Sequence, residues 1–88
     1  MKLKYEFSVR EIMDDYILVP VGESALEFSG MVTTTEVGAF LCTLLREQTD
    51  RGALLAALLS DYDVDEATAG ADLDEFLASM DRAGLLEK

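Results

Sequence analysis

Acidic side chains are the residues of this sequence whose types and spacing could do chemistry. Pairs such as Asp14 with Asp15 and Asp72 with Glu75 could act as general acid and base or hold a divalent cation. The segment 61–72, "DYDVDEATAGAD", has aspartates at the first, third and fifth places of a calcium loop but lacks the glycine at place six and the glutamate at place twelve. We therefore predict no calcium site and interpret these carboxylates as a solvating surface.

Other catalytic groups are excluded by the inventory of residues. The chain has no histidine and one cysteine, Cys42, so it can form neither a Ser-His-Asp or Cys-His arrangement nor a zinc site of the usual kind. The glycines of "GESALEFSG" have the wrong spacing for a phosphate loop and lack its lysine. We interpret Cys42 as a small packing residue rather than a reactive thiol. The sequence predicts a protein that is not an enzyme and needs no metal or cofactor.

The excess of acidic over basic residues limits the classes of molecule that the protein can bind. Eighteen acidic and seven basic residues give a formal net charge of −11, which opposes binding to phosphate-rich nucleic acid. Two interpretations stay open: a plain solvated surface, or an acidic face that docks a basic partner. The sequence has no apolar run long enough to cross a bilayer and no signal peptide at its N-terminus, and its lone cysteine suits a reducing compartment, so we expect a cytoplasmic protein.

The elements that position these residues follow from hydrophobic periodicity. Residues 3–9 alternate apolar and polar and predict a half-buried strand. Residues 16–21 predict a second strand that Pro20 ends or places at an edge, and residues 25–28 with 31–33 predict a third strand, interrupted at Ser29 and Gly30. Short connections favour an antiparallel meander.

Three helices follow the strands. The first begins at Thr33, Thr34 or Thr35, any of which could cap it, and runs to about residue 45. The second covers about residues 50–61, and the third runs from Asp65 to about residue 83, where Gly84 ends it and Leu85 folds back. Since 88 residues give one small core, we expect a single domain over residues 1–88. The predicted fold is α+β and winged-helix-like, with an N-terminal three-stranded antiparallel sheet followed by a three-helix bundle.

Four segments resemble the PqqD-like proteins, the peptide-binding domains called RiPP recognition elements. They are "YILVPVGE", "FSGMVTTTEVGAFLCTLL", "LLAALLSDYDVDEATAGADLDEFL" and "AGLLEK". Their order and spacing carry the resemblance over nearly the whole chain. Two positions depart from the family pattern: Thr35 stands where the family favours asparagine as the helix cap, and Cys42 where it favours tryptophan.

The resemblance implies a function. A protein of this kind binds the leader segment of a ribosomally synthesised, post-translationally modified peptide precursor and presents the precursor to a modifying enzyme, often a radical S-adenosylmethionine enzyme. In the family, the leader adds as an extra strand along the third strand and lies against the third helix. Carried onto this sequence, the peptide-binding residues are Leu26, Phe28, Met31, Val32 and Thr33 on the strand side and Leu73, Phe76, Leu77 and Met80 on the helix side.

Plain core packing is the alternative role for each of these residues, and it is favoured for Leu73 and Leu77. On the polar side of the same helix, Asp72, Glu75 and Ser79 are candidates to meet a basic residue of the leader.

Two other functions fit the same elements. A winged-helix DNA-binding regulator has a compatible topology, but the last helix offers acidic residues where base edges call for Arg, Lys, Asn or Gln. An acidic protein-interaction module would act through the carboxylates alone. Because an exposed strand edge can also pair with itself, both a monomer and a dimer are compatible with the sequence.

Overall fold

The computed structural model describes residues 1–27 and 31–87 of the chain. Phe28, predicted in the third strand and at the peptide-binding site, lies outside the described residues, as do Ser29 and Gly30, which were predicted to interrupt that strand.

A three-stranded antiparallel sheet forms the N-terminal half. Its strands are β2, Phe7–Ile12; β3, Asp15–Pro20; and β4, Val32–Thr34, in the order β2-β3-β4. The β2–β3 hairpin turns over Met13 and Asp14, and Met13 has a left-handed φ of 57°. Pro20 is the last residue of β3, as its missing N–H predicts for a strand end.

The first predicted strand is divided in the structure. Residues Lys2–Leu3 form a separate strand, β1, which pairs with a C-terminal strand, β5, at Leu86–Glu87. The Leu3 N–H donates to the Leu45 carbonyl and the Lys4 N–H to the Leu85 carbonyl, so this end of the chain is bonded to the helical half. The single strand over residues 3–9 is thus a wrong prediction, because alternation reports which side chains are buried and not which strand is the partner.

The segment before β4 also differs from its prediction. Residues Ser24–Glu27 form a short helix, α1, after a turn in which Gly22 has a φ of 60°. The Ser24 hydroxyl accepts from the Glu6 N–H at 2.8 Å, which holds this turn against the start of β2. Leu26, predicted in the third strand, therefore lies in α1 with 89% of its surface exposed. Met31 precedes β4 and is also exposed.

The three predicted helices are confirmed. They are α2, Glu36–Leu44; α3, Arg51–Asp61; and α4, Glu66–Arg82. Thr35 is the cap of α2, since its hydroxyl accepts from the Gly38 N–H at 3.1 Å, and Asp50 caps α3 through the Ala53 N–H at 2.8 Å. Gly84 follows α4 with a φ of 75°, and Leu85 folds back into the core, as predicted.

The core lies between the sheet and the helices. Its fully buried large side chains are Leu18, Leu41, Leu45, Leu54, Leu73 and Leu85. The α+β, winged-helix-like arrangement predicted from the sequence is confirmed, with α1 and the β1–β5 pair added to it. Among residues 1–27 and 31–87, no helix combines the length and the apolar character needed to cross a membrane.

Candidate functional site

Among the residues that the structure describes, β4 pairs only with β3, with Thr34 opposite Tyr16 and Val32 opposite Leu18. In this part of the chain the outer edge of β4 is therefore open for backbone pairing. An unpaired edge presents a row of N–H and C=O groups to any extended chain that approaches it. The question for this site is which residues of β4 carry those groups.

The hydrogen-bond pattern of the hairpin answers it. The Val21 N–H donates to the Glu6 carbonyl, and Val19 is paired with Ser8, so odd-numbered residues of β3 direct their backbone groups to β2. The alternate residues of β3, Tyr16 and Leu18, therefore direct theirs to β4.

Thr33 is consequently the residue of β4 that faces the open edge. Its neighbours Val32 and Thr34 use their backbone groups in the ladder with β3, so the N–H and C=O of Thr33 point the other way. The Thr33 side chain is exposed, whereas those of Val32 and Thr34 are half-buried. A strand added here would bond to Thr33 and place alternate side chains over the core face of the sheet.

The ring of Phe76, from helix α4, reaches the end of β4. Phe76 is half-buried, and its Cε1 lies 3.3 Å from the position that a Cβ would take at Gly38 of α2. The Thr34 side chain approaches the same position. We use the name edge surface for the outer edge of β4 at Thr33 together with the flank of α4 that carries Asp72, Phe76 and Ser79.

The helix-side residues predicted from the sequence divide into three groups. Leu73 and Met80 are buried in the core and present no surface to a partner. Leu77 is half-buried on the opposite flank of α4, where it lines a depression with Met1 and Leu86. Phe76 is the predicted helix-side residue that the structure brings to the edge surface.

On the strand side, the structure brings Val32 and Thr33 together and leaves Leu26 in α1. Thr34 is not among the site residues predicted from the sequence. The glycine at residue 38, inside a predicted helix, is the signal that indicates a close neighbour at this point.

The charges of α4 are distributed over two flanks. On the flank towards α3, Asp74 accepts from Arg51 Nε at 2.6 Å and from Arg51 Nη2 at 3.0 Å. The hydrogen bonds from Arg51 and the charge of its guanidinium lower the pKa of the Asp74 carboxyl group. On the flank next to Phe76, Asp72 and Glu75 are exposed and form no ion pair with the residues that the structure describes.

The remaining candidates for chemistry are the thiol and the acidic groups. Cys42 is buried, and its burial raises the pKa of the thiol to about 12, which confirms the packing role. Within residues 1–27 and 31–87, no group of three His, Cys, Asp or Glu side chains could hold a metal ion. A cavity of about 560 Å³ between β1 and α1 is lined by charges of both signs, among them Lys2, Lys4 and Glu23.

The model of one protein family, described as coenzyme PQQ synthesis protein D (PqqD), matches residues 15–86. A solved structure described as "TbiB1 in Complex with the TbiA(beta) Leader Peptide" has a TM-score of 0.71 and 25% sequence identity to this chain, over 99% of this chain and 95% of that one. Among curated proteins, none matches the sequence.

Proposed function

The chain belongs to the PqqD family, and on that premise we propose that it is a RiPP recognition element. It binds the leader segment of a ribosomally synthesised, post-translationally modified peptide precursor. The observation that carries the proposal is the open edge of β4, where Thr33 directs its N–H and C=O away from the sheet. The similarity to TbiB1, whose structure is a complex with a leader peptide, supports the same function.

The binding mode is strand addition. An extended peptide that pairs with Thr33 gains main-chain hydrogen bonds, and these bonds do not depend on its sequence. Selectivity comes from the side chains that border the peptide, for which Val32 and Phe76 are the apolar candidates. Met31, which is exposed just before β4, would extend the contact along the peptide.

The chain acts in this proposal by binding and not by catalysis. A modifying enzyme performs the chemistry on the precursor that the chain presents, and a radical S-adenosylmethionine enzyme is the class implied by the resemblance. Because the precursor is a ribosomal product, the cytoplasm is the compartment in which we expect the two to meet.

The test is an amide NMR titration of the isotope-labelled protein with a synthetic leader peptide of the precursor encoded beside it. Saturating shifts concentrated on residues 31–34 and 72–79 are expected. A scrambled leader of the same composition is the matched control, and it should shift these amides less at every concentration. The absence of shifts with millimolar leader would contradict the proposal.

A further inference from the structure

We propose that the peptide segment that pairs with β4 is cationic, and that Asp72 and Glu75 of α4 select it by charge. This inference rests on the proposed function, because it names the class of peptide that the edge surface takes. Its basis is the position of these two carboxylates and the absence of a described ion-pair partner for either.

The helical positions place Asp72 on the edge surface. Leu73 and Met80, at i−3 and i+4 from Phe76, are buried, whereas Asp72 and Ser79, at i−4 and i+3, are exposed. The exposed side of Phe76 is therefore the side of Asp72 and Ser79.

The opposite flank of α4 is already occupied. Leu77 lies there with Met1 and Leu86, and Asp74 binds Arg51 of α3. The flank with Asp72 thus faces away from α3, on the side where Phe76 meets Thr34 and Gly38. Glu75, three residues after Asp72, neighbours it on the solvent side of this flank.

The two carboxylates keep their negative charge available for a partner. Asp74 has its cation in Arg51, but for Asp72 and Glu75 the described residues supply no ion-pair partner. Glu36, two residues after Thr34, adds a further carboxylate at the end of β4. The basic residue of α4, Arg82, is ten residues beyond Asp72, which places it about 15 Å further along the helix axis.

Charge complementarity decides between possible peptides at such an edge. Main-chain bonding accepts any extended segment, so the neighbouring side chains must supply the discrimination. A lysine or arginine opposite Asp72 or Glu75 is attracted, and an acidic segment is repelled by them and by the net charge of −11. Exposed ion pairs are individually weak, so the two carboxylates together should change the affinity roughly tenfold at low salt.

The experiment selects binders from a ribosome-displayed library of random 16-residue peptides on the intact protein. Peptides that bind Thr33→Pro equally well are removed, which leaves those that need the β4 edge. The remaining peptides are synthesised and titrated into wild type, into Asp72→Asn/Glu75→Gln and into the control Glu47→Gln/Glu87→Gln. The control has the same change of net charge at two exposed sites on the side of the β1–β5 pair.

The expected result is enrichment of lysine and arginine, roughly tenfold weaker binding to Asp72→Asn/Glu75→Gln at low salt and nearly unchanged binding to the control. Edge-dependent peptides without basic residues, or equal binding to both double variants, would overturn the charge selection and leave the proposed function standing. A selection that yields no edge-dependent peptide would overturn both.

Discussion

Gly38 of α2 lies directly against the ring of Phe76 of α4, so that a Cβ at residue 38 would stand 3.3 Å from Phe76 Cε1. The same Cβ would overlap the Thr34 hydroxyl. Side chains of β4 and α4 therefore meet at one glycine of α2, and this contact brings the Phe76 ring close to the end of β4.

Gly38→Ala should consequently destabilise the protein although alanine is the better helix former. The helical gain is about 1 kcal/mol, and overpacking a close contact costs about 1–3 kcal/mol, so we expect a net loss of about 1 kcal/mol in urea unfolding. Thr34→Ala/Gly38→Ala should recover that loss, because it removes the hydroxyl. Gly52→Ala in α3 is the matched control, because its Cβ would meet one atom, the capping Asp50 Oδ1 at 3.3 Å, and we expect a smaller loss than for Gly38→Ala. Equal effects of Gly38→Ala and Gly52→Ala would show that the contact is not restrictive.

Thr33→Pro should weaken binding of the leader peptide about tenfold or more while the protein stays folded. Proline removes the N–H that faces the open edge and none of the N–H groups bonded to β3, so the lost hydrogen bond belongs to the added strand. Isothermal titration with circular dichroism as a folding check measures both effects.

Val9→Pro is the matched control for this prediction. In β2, the even-numbered residues bond to β3, so the N–H of Val9 faces the other edge of the sheet. If the peptide adds at β4, Val9→Pro should leave its affinity unchanged. Loss of binding in Val9→Pro and retention in Thr33→Pro would place the peptide at β2 instead.

The Arg51–Asp74 pair should make part of the stability depend on pH in the acid range. Arg51 lowers the pKa of Asp74, so the folded protein favours the ionised carboxylate. Stabilisation from this pair is complete above the ordinary pKa of aspartate and is lost as the pH falls through the lower pKa of the folded state. Urea midpoints of wild type and Asp74→Asn should differ at neutral pH and converge in acid. A difference that persists at the lowest pH would contradict this linkage.

Cys42 should make the protein less stable at alkaline pH. Burial raises the pKa of its thiol from 9.0 to about 12, so the unfolded chain loses the proton first. The contribution is fully present below pH 9 and declines as the pH rises towards 12. Cys42→Val, which cannot ionise, should show a smaller decline of the urea midpoint over this range. The native thiol should also react slowly with a disulfide reagent at neutral pH and rapidly in denaturant.

The helical half of this fold could be read from the sequence because its signals are local. Apolar residues at i, i+3 and i+4, a capping threonine at Thr35 and a terminating glycine at Gly84 each act within a few residues of the chain. The hairpin with Pro20 at its end follows from equally local constraints. These elements also contain Val32, Thr33 and Phe76, the predicted site residues that the structure brings to the edge surface.

Only the tertiary structure decided which strands pair and which residues of α4 are buried. Whether Leu3 continues β2 or pairs with Leu86 depends on a contact between the two ends of the chain. An alternating pattern of apolar residues contains no information about that contact. Leu73 and Met80 were predicted to contact the peptide but are buried in the core. Helical spacing identifies the apolar stripe of a helix, and only the packing of the other elements decides which residues of that stripe are buried. The sequence by itself determined the three long helices and the family resemblance. The direction of Thr33 depends on the hydrogen bonds between β3 and β4, and only the fold could determine it.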